Sequence, residues 1–281
     1  MSVIHRLKSN TVKTLALIAS ATLVLSGCSA NSSEGDKLRI GIKYDQPGLG
    51  YQDGKNYTGF DTDVARYVAQ ELGYPEDRIE WVESPSANRE NMLTNGQVDM
   101  IFATYSISKS RLKTIDFAGP YFVAGQDLLV QADNNDIKGP DSLNGKNLCS
   151  VTGSTSAKKI QDKFASSVQL VQQGSYSDCV VALNAGMVDA VTTDDIILAG
   201  LGSTKANKGH LKLVGNTFTD ERYGVGLPKG SDKCEAINKA INKMVETGEW
   251  EKALAKNVGG SGFVYNKELN PPHLGTSCAT S

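Results

Sequence analysis

The sequence is poor in the side chains that most enzymes use for acid–base or metal chemistry. Its 281 residues include only three histidines, His5, His210 and His273, which are far apart along the chain. The nucleophile motif GxSxG and the zinc motif HExxH are both absent. Two glycine-containing stretches, 48–54 and 139–147, do not have the spacing of nucleotide-binding loops. We therefore expect no catalytic activity, no metal centre and no cofactor.

Only one long apolar run occurs, from Leu15 to Leu25, and three basic residues and no acidic residue precede it. A run of this length is too short to span a bilayer comfortably, and its basic start predicts a secretory signal peptide at residues 1–27. The adjoining "LSGC" resembles a bacterial lipobox. This resemblance implies that the chain is cleaved before Cys28 and that Cys28 is then acylated, with palmitate as one of the attached fatty acids. A cleavage site that contains a cysteine by chance is the alternative. The polar residues 28–35 would then form a flexible, lipid-anchored tether.

The mature chain also lacks a surplus of positive charge. Removal of the signal peptide leaves 26 Lys and Arg residues against 31 Asp and Glu residues. We see no basic stripe, so the composition argues against nucleic acid as a partner.

Two segments 90 residues apart share a pattern. "LTNGQVDMIFATYS" begins at Leu93, "LNAGMVDAVTTDDI" begins at Leu183, and Leu, Gly, Val and Asp recur in step. Each segment is typical of a helix end, a glycine stop and a short apolar strand. Polar residues follow each strand, with Thr104 in the first copy at the position of Asp194 in the second. The repeat favours two lobes of similar construction.

Strands and helices alternate elsewhere too, which predicts an α/β fold with mainly parallel sheets and a ligand site beyond the carboxyl ends of the strands. Two extended passages, Asp127–Asp133 and Tyr223–Gly230, could cross between the lobes. The first lobe would then contain residues 36–130 and 225–281, and the second lobe residues 131–224.

Four cysteines remain besides Cys28, and no CxxC pair occurs among them, so a zinc cluster is not expected. An even number in an exported chain favours disulfides. We expect Cys149–Cys179 and Cys234–Cys278, because each pair then falls within one lobe. Free buried thiols are the alternative.

The stretch "FATYSISKSR" places three hydroxyls, at Thr104, Ser106 and Ser108, on one side of an extended segment, with Arg111 after them. Such a cluster suits a carboxylate or a phosphate. The alternative is a surface loop in which Arg111 pairs with Asp116.

Several segments together resemble the extracytoplasmic polar-amino-acid-binding proteins of ABC importers, and most of all the glutamate/aspartate group. They are "GFDTDVARYVAQELG", "SANRENMLTNGQVDMI", "SISKSRLKTIDFAGPYF", "VTGSTS" and "YGVGLPKGS". The match runs in order through nearly all of the mature chain. It implies two Rossmann-like lobes joined by a two-strand hinge, the type II periplasmic-binding-protein or Venus-flytrap fold, closing on one amino acid.

The resemblance also implies a ligand site. Arg111, with Thr104 and Ser106 beside it, would hold the α-carboxylate of the ligand, and Asp194 would hold its ammonium. Ser154 and Thr155 would add donors at a helix N-terminus. Capping of the following helices is the alternative role of Ser154 and of Asp194.

The side-chain specificity would come from three further positions. Arg89 and Ser86 match residues of the acidic-ligand group, and Lys43 stands where several relatives for neutral or basic ligands have an acid. Tyr176 aligns with a ligand-facing position that is histidine in some relatives. The candidate site contains three cations, Lys43, Arg89 and Arg111, and one anion, Asp194. Its formal charge of +2 favours L-glutamate as the ligand, with L-aspartate as the second choice.

The resemblance therefore predicts a monomer on the outer face of the bacterial membrane, anchored to lipid through Cys28, that delivers its ligand to the permease of an ABC importer. An extracytoplasmic dehydratase on the same fold and a lipid-anchored sensor that partners a receptor are the alternatives.

Overall fold

The computed structural model describes residues 37–275 and 277–279. The predicted signal peptide, the tether and Cys28 lie outside these residues. In the described part of the chain, no helix combines the length and the apolar character needed to cross a membrane.

The secondary structure alternates between strands and helices. The strands are β1 (Leu38–Ile42), β2 (Asp45–Gln46), β3 (Gly50–Asp53), β4 (Asn56–Thr58), β5 (Ile79–Glu83), β6 (Met100–Phe102), β7 (Ile115–Gln131), β8 (Asn147–Val151), β9 (Gln169–Gln173), β10 (Ala190–Asp194), β11 (Leu211–Leu213) and β12 (Asp220–Pro228). The helices are α1 (Phe60–Glu71), α2 (Arg89–Thr94), α3 (Ser156–Lys163), α4 (Tyr176–Asn184), α5 (Asp195–Gly202), α6 (Cys234–Glu246) and α7 (Glu249–Val258). Short 3-10 helices include Glu76–Arg78, Arg111–Lys113, Pro140–Leu143 and Gly259–Ser261.

The main sheet contains two sets of parallel strands. The first strand set is β5, β1 and β6, and the second strand set is β9, β8 and β10. Between them lie β12 and β7, which pair with each other in antiparallel fashion. A separate small sheet contains β2, β3 and β4. The predicted α/β class is confirmed, but the prediction of mainly parallel pairing is wrong: the sheet is mixed, because β7, β11 and β12 pair with their neighbours in antiparallel fashion.

The sequence repeat corresponds to a repeated structure. In each copy a helix, α2 or α4, ends before a glycine with positive φ and leads into a strand, β6 or β10. The repeated aspartate accepts a hydrogen bond from the first residues of the neighbouring parallel strand: Asp99 from the Arg39 amide at 2.8 Å and Asp189 from the Asn147 amide at 2.7 Å. The repeat therefore fixes the register between paired strands in both sets.

The strands β7 and β12 connect the two sets. β7 pairs with β12 up to Gly125 and with β10 from Gln126 onward. This exchange of partners comes earlier than the predicted boundary between residues 130 and 131, and β12 begins before the predicted boundary at 225. The lobe boundaries themselves stay a prediction.

Packing follows the apolar pattern of the helices. In α1, Val64, Ala65 and Val68 are buried, and acidic residues occupy its first turn, where the helix dipole favours them. α6 and α7 are separated at Gly248, which adopts φ 74°, a conformation that glycine reaches without strain.

Both predicted disulfides are present. Cys149 of β8 is bonded to Cys179 of α4, and Cys234 at the start of α6 is bonded to Cys278. Each bridge ties a helix to a segment that is distant in the sequence.

Candidate functional site

Polar side chains meet around a small cavity where β6, β8 and β10 end. Nine of the ten predicted ligand-binding residues line it: Ser86, Arg89, Thr104, Ser106, Arg111, Ser154, Thr155, Tyr176 and Asp194. Ser156, Thr193 and Ile197 line it as well, and the sequence did not single them out.

Arg111 joins both sides of the cavity. Its Nη1 donates to the carbonyl oxygen of Ser106 at 2.7 Å, and its Nη2 donates to the carbonyl oxygen of Gly153 at 3.1 Å. Its Nε forms an ion pair with Glu90 at 3.1 Å. Because these contacts keep the guanidinium at the cavity, Arg111 is available to a ligand anion.

The alternative reading of Arg111 as part of a solvated surface loop is wrong. Arg111 is 6% exposed, and Asp116, its suggested partner, pairs instead with Lys229 at 2.8 Å. Sequence reasoning missed Glu90 as the true partner, because that contact spans 21 residues and belongs to no local motif.

Arg89 begins α2 and is buried. Its Nη1 donates to the carbonyl oxygen of Ala103 at 2.8 Å. Burial, together with the nearby charge of Arg111, lowers the pKa of Arg89 to about 10. The side chain therefore remains a cation at neutral pH.

Thr104 has a backbone conformation that is rare for a β-branched residue, with φ 46°. Its amide donates to Asp61 at 2.8 Å, and its hydroxyl lies 3.1 Å from Gln46 Oε1. Asp61 also accepts a hydrogen bond from the Tyr121 hydroxyl at 2.8 Å, and burial raises the pKa of Asp61 to about 6. The buried carboxylate thus holds Thr104 in the turn that leads out of β6.

Lys43 follows β1 and lies behind the cavity wall. Its Nζ donates to Ser86 Oγ at 2.9 Å, and Ser86 lies on the wall. Burial, and secondly the charge of Arg89, lower the pKa of Lys43 to about 7. Its role as a direct ligand contact stays a prediction.

The loop after β8 brings hydroxyl groups to the start of α3. Ser154 Oγ accepts hydrogen bonds from the Ser156 amide at 3.2 Å and from the Tyr176 hydroxyl at 2.9 Å. Ser154 therefore orders the beginning of α3, in agreement with the alternative capping role. It also lies on the cavity wall. Thr155 occupies the cap position of α3, and its side chain makes no capping bond.

Asp194 ends β10 at the start of α5. Its side chain makes no capping hydrogen bond to the helix, so the capping role does not account for this residue. It accepts a hydrogen bond from the Tyr223 hydroxyl at 2.6 Å. Burial, and then the charge of Glu221, raise the pKa of Asp194 well above its usual range.

The charged side chains on the wall are two guanidiniums and one carboxylate: Arg89, Arg111 and Asp194. This set complements a ligand with two carboxylates and one ammonium. No histidine or cysteine is found on the described wall, and no group of His, Cys, Asp and Glu residues that could hold a metal ion occurs among the described residues.

Residues 38–260 match the family of bacterial extracellular solute-binding proteins, family 3. The chain is 42% identical to the glutamate-binding protein GluB of Corynebacterium glutamicum over 270 residues, covering 89% of this chain and 90% of that protein. It is 34% identical to the glutamine-binding protein GlnH of Bacillus subtilis over 264 residues, covering 86% of this chain and 95% of that protein.

The fold also matches solved structures. An ancestral arginine-binding protein bound to glutamine superposes with a TM-score of 0.72 at 33% identity, covering 79% of this chain and 98% of that one. The arginine-, lysine-, histidine-binding protein ArtJ of Geobacillus stearothermophilus has a TM-score of 0.74 at 22% identity, covering 84% of this chain and 99% of that one, which supports the fold alone. The type II periplasmic-binding-protein fold is thus confirmed. The relatives are named binding proteins for amino acids, and this chain belongs to family 3 of the bacterial extracellular solute-binding proteins.

Proposed function

We propose that the protein binds an acidic amino acid, L-glutamate first and L-aspartate second, outside the membrane and delivers it to the permease of an ABC importer. The observation that carries this proposal is the charge on the cavity wall. Arg111 would bind the α-carboxylate, Arg89 the side-chain carboxylate, and Asp194 the ammonium.

Charge matching distinguishes glutamate from the ligands of other relatives. Glutamine would leave one of the two guanidiniums without a carboxylate, and arginine would add a third cation. A buried charge without a partner costs several kcal/mol. The GlnH relative carries the name of a glutamine-binding protein, so glutamine is the competitor to exclude first.

Closure of the two strand sets around the ligand would couple binding to transport. Arg111 follows the first strand set and contacts Gly153, which follows the second. A second contact lies outside the cavity, where the Tyr176 amide donates to Asp45 Oδ2 at 3.1 Å and Ser177 Oγ donates to the Asp45 carbonyl oxygen at 3.1 Å. A ligand held from both sides favours the closed form through its differential affinity.

The membrane anchor is part of the same proposal. Cleavage before Cys28 and its acylation would keep a monomeric binding protein at the outer face of the membrane, near its permease. Metabolic labelling with a palmitate analogue, compared between the full chain and Cys28→Ala, tests this part separately.

Isothermal titration calorimetry of residues 29–281 with glutamate, aspartate, glutamine and arginine tests the ligand assignment. We expect glutamate to bind most tightly. Tighter binding of glutamine or arginine would overturn the charge argument. Recovery of the ligand, unchanged by mass, from the denatured complex distinguishes a binding protein from a dehydratase.

A further inference from the structure

Both arginines of the cavity lie over the ring of one tyrosine that is not on the wall. The guanidinium carbon of Arg89 is 4.0 Å from the ring centroid of Tyr105, and that of Arg111 is 4.7 Å from it. Tyr105 is fully buried and directly follows Thr104 in the chain. One aromatic ring is thus the common neighbour of the two cations.

The ring offsets a cost that the two arginines impose on each other. Two neighbouring guanidiniums repel, and burial removes much of the water that would screen them. The face of an aromatic ring is negative and attracts a cation within about 6 Å of the centroid. The Tyr105 hydroxyl, in contrast, is buried without a well-formed hydrogen bond, and Glu90 is the acidic group near it.

The surroundings of Tyr105 fix the plane of this ring. Phe117 packs against it edge to face, with the centroids 4.9 Å apart. On another side lies Gly226 of β12, where a Cβ atom would come within 2.8 Å of a ring carbon. Only a residue without a side chain leaves room for the ring at that point.

We propose that Tyr105 is a positioning residue for ligand specificity: its ring holds Arg89 and Arg111 side by side so that they bind the two carboxylates of one ligand. This inference rests on the proposed function for its ligand, although the arrangement of the ring and the arginines does not. Loss of the ring should weaken a dicarboxylate ligand more than a monocarboxylate ligand, because only the former uses both cations.

Three variants separate the ring from the hydroxyl and from simple packing. Tyr105→Phe keeps the ring, Tyr105→Leu removes it, and Phe164→Leu is the control for loss of a packed ring. Phe164 also packs edge to face, on Phe218 with the centroids 5.3 Å apart, but it belongs to another apolar cluster, and no cation–π contact to it occurs among the described residues. Should Tyr105→Leu not fold, Tyr105→Met fills more of the space and still lacks a ring.

Calorimetry with glutamate and glutamine measures the specificity. For Tyr105→Leu we expect glutamate affinity to fall by about ten- to a hundredfold, as the loss of two cation–π contacts implies, with a smaller fall for glutamine. For Tyr105→Phe we expect affinity within about threefold of the parent protein. Phe164→Leu should lower the melting temperature but leave the ratio of the two affinities within about twofold, since Phe164 lies in a different apolar cluster from Tyr105. An unchanged ratio in Tyr105→Leu would overturn the inference.

A second readout needs no ligand. A guanidinium above a ring is shielded by the ring current, so the Nε–H resonances of Arg89 and Arg111 in the NMR spectrum of the free protein should lie upfield and move downfield in Tyr105→Leu. Resonances that do not move would overturn the inference as well. If the parent protein fails to bind glutamate, the proposed function is wrong, while the NMR comparison still decides whether Tyr105 positions the arginines.

Discussion

At the scale of single residues, Arg111 makes the contacts that join the ends of the two strand sets. We expect Arg111→Ala to abolish glutamate binding, because the α-carboxylate would lose its bidentate partner. The melting temperature should change little, since the truncation also relieves the repulsion between Arg111 and Arg89. Calorimetry and thermal denaturation of the same preparation measure both effects.

The matched control is Arg39→Ala. Arg39 also forms an arginine ion pair, with Asp99 at 2.8 Å, but it lies at the start of β1 and away from the cavity wall. This variant should bind glutamate as the parent protein does. Retained affinity in Arg111→Ala would refute the assigned role of Arg111.

Lys43 should give the proposed glutamate binding a pH dependence. Its pKa of about 7 in the free protein means that much of it is neutral at pH 8. Asp45 and Glu83 raise this pKa, but burial and the two arginines of the cavity lower it more. The carboxylates of a bound ligand favour the charged form and therefore raise the pKa of Lys43 in the complex.

The sign of the effect follows from this difference. Lys43 should take up protons on binding between pH 7 and 8.5, and its contribution to affinity should fall as the pH rises above about 7, toward its pKa in the complex. Calorimetry in two buffers of different ionisation enthalpy measures the proton uptake. Lys43→Met should remove the uptake. Equal uptake in that variant would assign the proton to another group.

Asp194 should show a trade-off between stability and binding. Burial and the nearby acid Glu221 disfavour its charged form in the free protein. Asp194→Asn keeps the shape of the side chain and removes this charge, so the melting temperature of the free protein should be unchanged or higher, while glutamate binding is lost.

The neighbouring Asp195 is the natural comparison for Asp194. It accepts hydrogen bonds from the Gly125 amide at 3.2 Å and from the Ile196 amide at 2.7 Å, and it does not line the cavity. We expect Asp195→Asn to keep most of the affinity. Full affinity in Asp194→Asn would show that its carboxylate does not hold the ammonium.

The sequence predicts the wall of the cavity better than the residues behind it. Residues such as Thr104 and Ser154 follow strands directly, so a pattern of polar residues at strand ends reveals them. Glu90, Tyr105 and Tyr223 act through contacts with distant parts of the chain, and nothing in their local sequence differs from ordinary core or surface residues. Their roles become visible only in three dimensions.

At the scale of secondary structure, α5 packs closely against the segment after β2. A Cβ atom at Gly200 would overlap the carbonyl oxygen of Pro47. Gly200 lies within α5 and its φ is not positive, so alanine is compatible with the helix itself and would favour it by about 1 kcal/mol. The obstacle is therefore the contact and not the conformation.

We expect Gly200→Ala to weaken glutamate binding. The added methyl group would overlap Pro47 and so hinder the contact between α5 and Pro47 that the proposed closure requires. Gly202→Ala is the matched control at the end of α5, because a Cβ there would meet only a Leu129 methyl group at an ordinary 3.5 Å. If both variants bind equally well, the contact does not limit closure.

How easily a strand is recognised in the sequence depends on whether one or both of its faces are buried in the core. The repeat around Gly96 and Gly186 is easy to recognise in the sequence, because a helix end, a glycine and a strand follow one another within a few residues. β7 was identified only in part, as Asp127–Asp133, although it extends over 17 residues. Most of its residues are buried on both faces, so its sequence shows no alternation of polar and apolar residues to mark its start.

At the scale of the whole molecule, β7 and β12 are the connection through which the two strand sets would move. The exchange of partners of β7 between Gly125 and Gln126 lies at the point where one set gives way to the other. Pairing between distant segments decides this position, and a single sequence does not encode it in any local pattern. The general architecture was predictable, whereas the point of exchange was not.

Ligand binding should stabilise the whole molecule, because in the proposed site glutamate would be held by residues of both strand sets, and an unfolded chain has no such site. At a free concentration 100 times the dissociation constant, a ligand adds about 2.7 kcal/mol to the free energy of unfolding. For a chain of this size that corresponds to a rise of roughly 5–10 °C in melting temperature. Differential scanning fluorimetry with glutamate measures this rise, with arginine at the same concentration as the ligand control and Arg111→Ala as the protein control. Both controls should show no shift, because arginine brings an unmatched cation and the variant lacks the anion partner. An equal rise with arginine would mean that the wall does not select by charge.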